Sequence, residues 1–467
     1  MAEQQQQQQP LRVMELFAGV GGFRAGLEGL PGQARSEPSA FQMVWSNQWE
    51  PATKRQHASE VYAARWGSTG HHNENIFAVV DDGDKFATIL AAKPDLLVAG
   101  SPCQDYSVAN AASKARGLEG KKGVLWWAIY EILKQCASAG ELIKYLVLEN
   151  VDRLVKSPTK CRGRDFAVIL SSLEALGYAV EWRVVNAADY AYPQRRRRVF
   201  IVAYHRSTAA YQRLLQSTLR DGAGAWMLRE GTLARAFPAS GEFPDRLKPT
   251  LSVPADPVQA QATYVAGKRN ASPFANAGLL LGGQVWSADL RPVNPVAGVT
   301  LGDIVAKTVH VPPEFYLDDA DLAAWVYLKG AKNIARTSVS GHAYVYTEGA
   351  VCFPDALDRP SRTIITSEGG SAPSRFKHVI AEASGRLRRL LPEELEQLNG
   401  FPRGFAEHPG VSDAKRAFLM GNALVVGLVE RIGQALATVA ADDAGSLSAT
   451  ERLPGEEACG ASSLAPA

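Results

Sequence analysis

Three kinds of side chain in this sequence stand where apolar runs begin or end, and together they suit chemistry on an electron-poor ring. Cys103 follows Leu96–Ala99 and the turn Gly100-Ser101-Pro102, and Glu149 follows Tyr145–Leu148. Arg196 and Arg198 belong to the run Arg195–Arg198 that leads into Val199–Tyr204. A thiolate is a strong nucleophile that can add to a ring carbon. A carboxyl can hydrogen-bond or protonate a ring nitrogen as charge develops there. An arginine can fix that carboxyl and hold a polar substituent in a forked geometry. Taken singly, each has a plain structural reading: a small buried thiol, a helix cap, a solvated basic face. Their recurrence at successive strand ends favours a site.

The elements that must position them read as strands alternating with helices. Arg12–Ala18 is a strand, Gly19-Val20-Gly21-Gly22 a turn, and Phe23 to about Gly29 a helix. Phe41–Ser46 is a second strand ending in Asn47-Gln48-Trp49-Glu50, and Pro51 suits the first turn of a helix reaching about Trp66. The strand before Cys103 follows, then a polar, glycine-containing segment, 104–123, expected to be a mobile loop. Helices are expected at Val124–Cys136 and Asp165–Leu176, and further strands at Tyr145–Leu148, Ala179–Val185 and Val199–Tyr204. This alternation implies a doubly wound, mostly parallel sheet. The last two strands are joined by Asn186–Arg198, which contains Pro193 and no amphipathic run. No crossover helix fits there, so the final strand is expected to run antiparallel, bringing the arginines to the edge that carries Cys103 and Glu149.

The glycine turn fails the dinucleotide fingerprint, because Arg24 stands at the third glycine position. Close backbone approach to another adenosine-type ligand stays open. An acidic residue after the second strand would bind ribose hydroxyls, and Glu50 lies there with Gln48 close by.

At 467 residues the chain is too long for one compact core. Its 46% hydrophobic and 21% charged residues describe an ordinary globular protein, with no apolar run expected to span a bilayer. The five cysteines are scattered without a CxxC pair, which argues for reduced thiols and no zinc or disulfide framework. A net charge of +2 says little about nucleic acid, since basic residues can gather on one face. The organisation expected is a glutamine-rich lead (1–10), a first α/β part (11–204), an irregular β-containing domain (205–385), a closing part (386–438) and a loose tail (439–467). Helices are expected at Leu387–Leu398 and Gly421–Leu436 in the closing part.

With these motifs in order, the chain resembles the DNA (cytosine-5)-methyltransferases in their bacterial modification-enzyme form. The resemblance rests on ELFAGVGGFRAGLE from Glu15, GSPCQDYS from Gly100, LENV from Leu148, PQRRRRVFIV from Pro193, RLRRLLPEELEQLNGFP from Arg386 and MGNALVV from Met420. It implies a Rossmann-like methyltransferase sheet carrying a second, smaller, irregular β-rich target-recognition domain at 205–385. It further implies that Cys103 adds to C6 of a flipped cytosine while Glu149 acts at N3 and the exocyclic amine, assisted by Arg196 and Arg198. The methyl donor implied is S-adenosyl-L-methionine, held by Phe17, Ala18, Gly19, Gly21, Gln48, Trp49, Asn75, Ile76, Pro102, Leu125, Asn422 and Ala423. Relatives often carry glutamate at Gln48, aspartate at Asn75 and serine at Ala423, so two anionic partners are missing, and Glu50 could compensate. The implied partners are double-stranded DNA and a separately acting restriction endonuclease, with a cytoplasmic monomer expected. Arg386–Arg389 is expected to meet DNA phosphates. The alternatives are a tRNA cytosine methylase of the same fold and an inactive DNA-binding regulator.

Overall fold

The computed structural model describes residues 9–33, 38–51, 53–100, 125–158, 161–243, 248–266, 271–293, 298–338 and 341–450. Pro102, Cys103 and the segment expected to be a loop after them lie outside the described residues. The first half alternates as expected: β1 (Leu11–Leu16), α1 (Gly22–Glu28), β2 (Phe41–Asn47), α2 (His57–Trp66), β3 (His71–His72), α3 (Ile76–Val80), α4 (Gly83–Ala92) and β4 (Leu96–Gly100). There follow α5 (Leu125–Ser138), β5 (Tyr145–Val151), α6 (Arg164–Ala175), β6 (Tyr178–Asn186), β7 (Arg197–His205) and α7 (Ala209–Asp221).

These strands belong to a ten-stranded sheet of order β3-β2-β1-β4-β5-β7-β6-β10-β11-β9, where β9 is Leu251–Ser252, β10 Ala277–Leu281 and β11 Gln284–Ala288. β1 to β5 are mutually parallel where paired, and β7 runs antiparallel to both β5 and β6. The topology reverses between β1 and β4, which makes a crevice beyond their carboxyl ends. β4 explains why the core reads as an unbroken apolar run. Leu97 and Ala99 pack with α5 and α6 on one face, and Leu96 and Val98 with α1 and the last helix on the other. A strand covered on both faces has no polar side to alternate.

Several boundaries differ from the sequence expectation. α2 starts at His57 rather than Pro51, because the Gln56 amide closes the preceding turn, donating to Glu50 O at 2.9 Å and accepting from Glu50 N at 2.7 Å. The region from 205 does not break away from the sheet at once. β10 is buried along its whole length and pairs antiparallel with β6, so the chain extends the sheet before becoming irregular. Thereafter come short pieces: β8 (Ala239–Ser240) with β12 (Arg291–Pro292), α8 (Pro257–Ala266), α9 (Asp319–Lys329), the hairpin β13 (Lys332–Thr337) and β14 (Ala343–Glu348), and β15 (Val379–Ala381) with β16 (Leu387–Arg389). Residues 387–389, expected to be helical, are thus a strand, and the helix starts at Pro392. Pro suits a first helical position and not a later turn.

The closing part returns as α10 (Pro392–Leu398), α11 (Asp413–Asn422) and α12 (Val426–Thr450). Gly421 and Asn422 end α11 instead of opening the last helix, and α12 runs past residue 438 to Thr450. α12 lies against α1 so closely that a Cβ on Gly26 would stand 2.6 Å from Val429 Cβ. The stretch Asp413–Ala441 is long and apolar enough to cross a membrane by length and composition, unlike the expectation; 61% of its most apolar window is buried inside the protein. Leu428, Val429, Ile432 and Leu436 there serve the sheet's second core layer.

Candidate active site

The carboxyl ends of β4, β5 and the start of β7 meet as neighbours in the sheet. Gly100 pairs with Glu149, Glu149 with Phe200, and Val151 with Arg198. Antiparallel pairing of β7 therefore brings its first residues to the end of β5. The Arg198 guanidinium donates from Nε to Glu149 Oε1 at 2.8 Å, both side chains being mostly buried. Gly100, the last described residue before Pro102 and Cys103, has its Cβ direction 3.9 Å from Glu149 Oε2. The carboxyl is thus held by a charge-assisted bond at the point where the chain leaves β4. Outside this pair, Arg197 reaches Asp152 at 3.4 Å on the surface.

Arg196 takes a different position. It is buried at 2% exposure and donates to Ile364 O and Gly421 O, both at 2.9 Å. Next to it, fully buried Gln194 donates to Asn399 Oδ1 at 2.8 Å and accepts from Ile364 N at 3.0 Å. Asn399 in turn donates to Met420 O at 2.9 Å. The arginine run therefore divides at the start of β7: Arg196, before the strand, ties three distant segments together from within, and Arg198, in the strand, faces Glu149. Sequence reading missed Gln194 as a positioning residue; its place in the Pro193–Val202 motif, before a strand, was the available signal.

At the other side of the crevice the turn after β1 is built on positive φ at Phe17, Gly19 and Gly21 (55°, 57° and 87°). Gly19 has open space on its Cβ side, whereas at Gly21 a Cβ would strike the Trp66 ring. The first keeps the backbone approachable; the second lets α2 pack beneath it. Gln48 accepts from Gly19 N at 2.7 Å, so its side chain joins the end of β2 to the turn. Trp49 beside it is 36% exposed. Asn75 caps α3, accepting from Phe77 N at 3.1 Å, and Ile76 behind it is buried. Glu50 instead faces Lys415 of α11 at 3.5 Å. Asn422 and Ala423 end α11, and Leu424 beside them packs against Gly22 of the turn. Leu125 opens α5, the first described residue after the segment that holds Cys103.

Beneath the turn, Glu15 is fully buried in β1 and accepts from the Tyr62 hydroxyl at 3.2 Å. Burial pushes its carboxyl up to about 8, against the pull of Arg24 and the Tyr62 bond. Sequence reading quoted Glu15 within a motif without seeing that it would be buried. Among the described cysteines, burial pushes the Cys136 thiol up to about 12, which removes it as a nucleophile at neutral pH. Of the arginines expected to meet phosphate, Arg386 is exposed and stacks 3.5 Å from the Tyr316 ring, whereas the other two are engaged elsewhere. Arg388 is buried and forks onto Glu394 with two bonds of 2.8 Å, and Arg389 is 9% exposed and donates to Gly370 O.

A doubly wound sheet closed by an antiparallel strand, with an approachable glycine turn on one side of its switch point and a carboxyl–guanidinium pair on the other, is the frame of a methyltransferase. Solved structures share this fold. The S. pombe Dnmt2 methyltransferase superposes with a TM-score of 0.52 at 13% identity, over 92% of this chain and 99% of that one. In sequence, the profile of the C-5 cytosine-specific DNA methylases matches residues 11–224 and 322–438. The Type II methyltransferase M.Sau3AI of Staphylococcus aureus is 40% identical over 91% of this chain and 94% of its own length. M.NgoBI of Neisseria gonorrhoeae is 33% identical over 41% and 50%. The chain belongs to the C-5 cytosine-specific DNA methylase family and is an enzyme of that activity.

Proposed function

We propose that the chain is the modification methyltransferase of a type II restriction–modification pair, acting on cytosine C5 in a specific sequence of double-stranded DNA in the bacterial cytoplasm. The type follows its relatives' names, and the activity follows its family. The observation that carries the site is the Arg198–Glu149 pair at the end of β5, beside the strand end that leads to Cys103.

Cytosine C5 is a weak nucleophile until C6 is attacked. The Cys103 thiolate supplies that attack, forming a sulfur–carbon bond while the ring's electron density moves toward N3 and C5. Glu149, oriented by Arg198, holds N3 and the exocyclic amine as that charge develops. After transfer a base removes the C5 proton and the thiolate leaves, restoring the ring.

The crevice fits S-adenosyl-L-methionine: open space above Gly19, an exposed Trp49, and hydrogen-bonding side chains at Gln48 and Asn75. Phe17, Ala18, Gly21, Ile76, Pro102, Leu125, Asn422 and Ala423 complete the set assigned to it. Bound there, it supplies the electrophilic methyl group.

DNA carrying 5-fluorocytosine at the target cannot release its C5 substituent, so the enzyme should stay joined to it through denaturation. Mass spectrometry should place the adduct on Cys103, and Cys103→Ala should abolish adduct and methylation alike. A Cys103→Ala enzyme methylating at a comparable rate would refute this mechanism.

A further inference from the structure

The hairpin β13–β14 is a two-stranded ribbon that pairs with no other strand among the described residues. Most of its side chains on both faces are exposed, including Tyr344 at 43% and Val345 at 61%. A lone hairpin in water is marginal, and its bare edges invite association. This one is braced at its root. Arg375 pairs with Glu348 at 2.9 Å and donates to Leu328 O and Gly330 O at 3.3 Å, and to Gly349 O. Val351 N donates to Lys329 O at 2.8 Å, closing the base. The root is also tied to the catalytic edge. Lys329 and Arg362 both donate to Lys377 O, and Thr363, next to Arg362, donates to Arg195 O at the head of β7.

The two faces differ in chemistry. Register places Asn333 opposite Thr347, Ala335 opposite Val345 and Thr337 opposite Ala343 on one face. These are small apolar groups alternating with amide and hydroxyl, and Thr347 donates to Asn333 Oδ1 at 2.9 Å. The opposite face carries Lys332, Ile334 and Arg336 against Glu348, Tyr346 and Tyr344. Lys332 is matched by Glu348 at 3.1 Å. Arg336 stacks 4.2 Å from the Tyr346 ring and has no carboxylate partner among the described residues.

We propose that this ribbon enters the major groove of the substrate duplex, with Asn333, Ala335, Val345 and Thr347 reading base edges and Arg336 meeting a phosphate. The inference rests on the DNA methyltransferase reading above. Strands about 4.8 Å apart make a ribbon whose width suits a groove of about 12 Å. Amides pair with adenine edges and small apolar side chains pack on thymine methyl groups. A braced root and a solvated blade are what insertion requires.

The test is methylation of duplexes randomised around a cytosine, read by sequencing the C5-methylated products. Asn333→Ala and Thr347→Val should relax preference at one or two base pairs by about tenfold or more, and Ala335→Gln should shift it. Arg336→Ala should weaken binding evenly across sequences and lower its salt dependence. All four side chains project from the exposed blade, and matching thermal unfolding curves would confirm folded variants. Unchanged preference in the three face variants would overturn the ribbon's role while leaving the enzyme reading intact. So would a change of oligomeric state without a change of preference, since that would make the ribbon a subunit contact. A wild-type protein that methylates no DNA would remove both readings.

Discussion

The sheet region and the irregular region from Gly298 to His378 bury carboxyl groups in opposite ways. In the sheet region, Glu15 on β1, Glu181 on β6 and Asp165 on the covering helix α6 are buried and pushed above the usual carboxylate range by burial itself. In the irregular region, burial also raises Asp355, but Arg362's hydrogen bonds, His378 and the Val379 N–H outweigh it and hold the carboxyl below its usual value. Arg362 forks onto Asp355 at 2.6 and 3.0 Å, and Glu368 pairs with His378 at 3.0 Å. The sheet gains its cohesion from apolar layers such as Leu97, Leu146 and Ile129, so burial there outweighs the few partners a carboxyl finds. The irregular region has few such layers and is knit by ion pairs and by cations on backbone carbonyls, such as Lys329 and Arg375.

The largest expected effect comes from breaking that ionic core. Asp355→Ala leaves Arg362 without its carboxylate and the Val379 N–H without an acceptor, and should cost about 3–5 kcal/mol, as for other broken buried pairs. The loss should be local, so limited proteolysis should cut between 298 and 378 before it cuts the sheet. Because Asp355 has a depressed folded pKa, its stabilisation is present above the ordinary carboxylate pKa and fades as pH falls through the folded value. The gap between wild type and variant should therefore narrow in acid. Uniform proteolysis, or a gap that widens in acid, would break the contrast between the regions.

Next is Glu15, where the sign reverses. A carboxyl whose folded pKa is about 8 contributes its stability fully below the ordinary carboxylate value and loses it as pH rises toward 8. Glu15→Gln keeps an acceptor for the Tyr62 hydroxyl and carries no charge to bury. Its stability relative to wild type should grow from about pH 5 to about pH 8, to on the order of 3 kcal/mol. Urea titrations at the two pH values would show it. A constant difference would mean that Glu15 ionises normally inside the fold.

The same contrast explains what was legible in the sequence. Apolar runs marked β4, β5 and β7, and the missing crossover helix around Pro193 foretold the antiparallel strand that joins Arg198 to Glu149. Region by region, legibility fell where cohesion stopped being apolar. Arg388 and Arg389 read as a basic surface, yet their partners Glu394 and Gly370 O belong to separate segments that periodicity cannot link. β10 was missed because Gly278 and its short length hide a buried strand among loop-like neighbours. Arg196 and Arg198 look alike in sequence and differ because β7 begins at Arg197: Arg196 lies in the turn before it, where its N–H donates to Gln194 O at 3.0 Å, and Arg198 lies within the strand.

The smallest expected effect lies at the crevice, in Gln48→Glu. The family resemblance leads to a carboxylate being expected where Gln48 stands, and its absence would suggest weak binding of S-adenosyl-L-methionine. The geometry argues otherwise. Gln48 already uses Oε1 to accept from Gly19 N at 2.7 Å, and a glutamate would keep that bond and strengthen it by its charge. What changes is the second atom, from an amide donor to a carboxylate acceptor, about one charged hydrogen bond to the ligand. Gln48 is 7% exposed, so part of that gain is offset by desolvating the new charge. Calorimetric titration should therefore give less than about a tenfold change in affinity: one such bond contributes about 1.5–3 kcal/mol, desolvation takes back part of it, and tenfold corresponds to about 1.4 kcal/mol. Gln48→Leu supplies the control: it leaves the Gly19 N–H without its acceptor and should weaken binding more than the charge change does. If Gln48→Glu abolished binding while Gln48→Leu did not, the pocket would be rejecting the negative charge itself, and the Gly19 bond would not be what shapes the pocket.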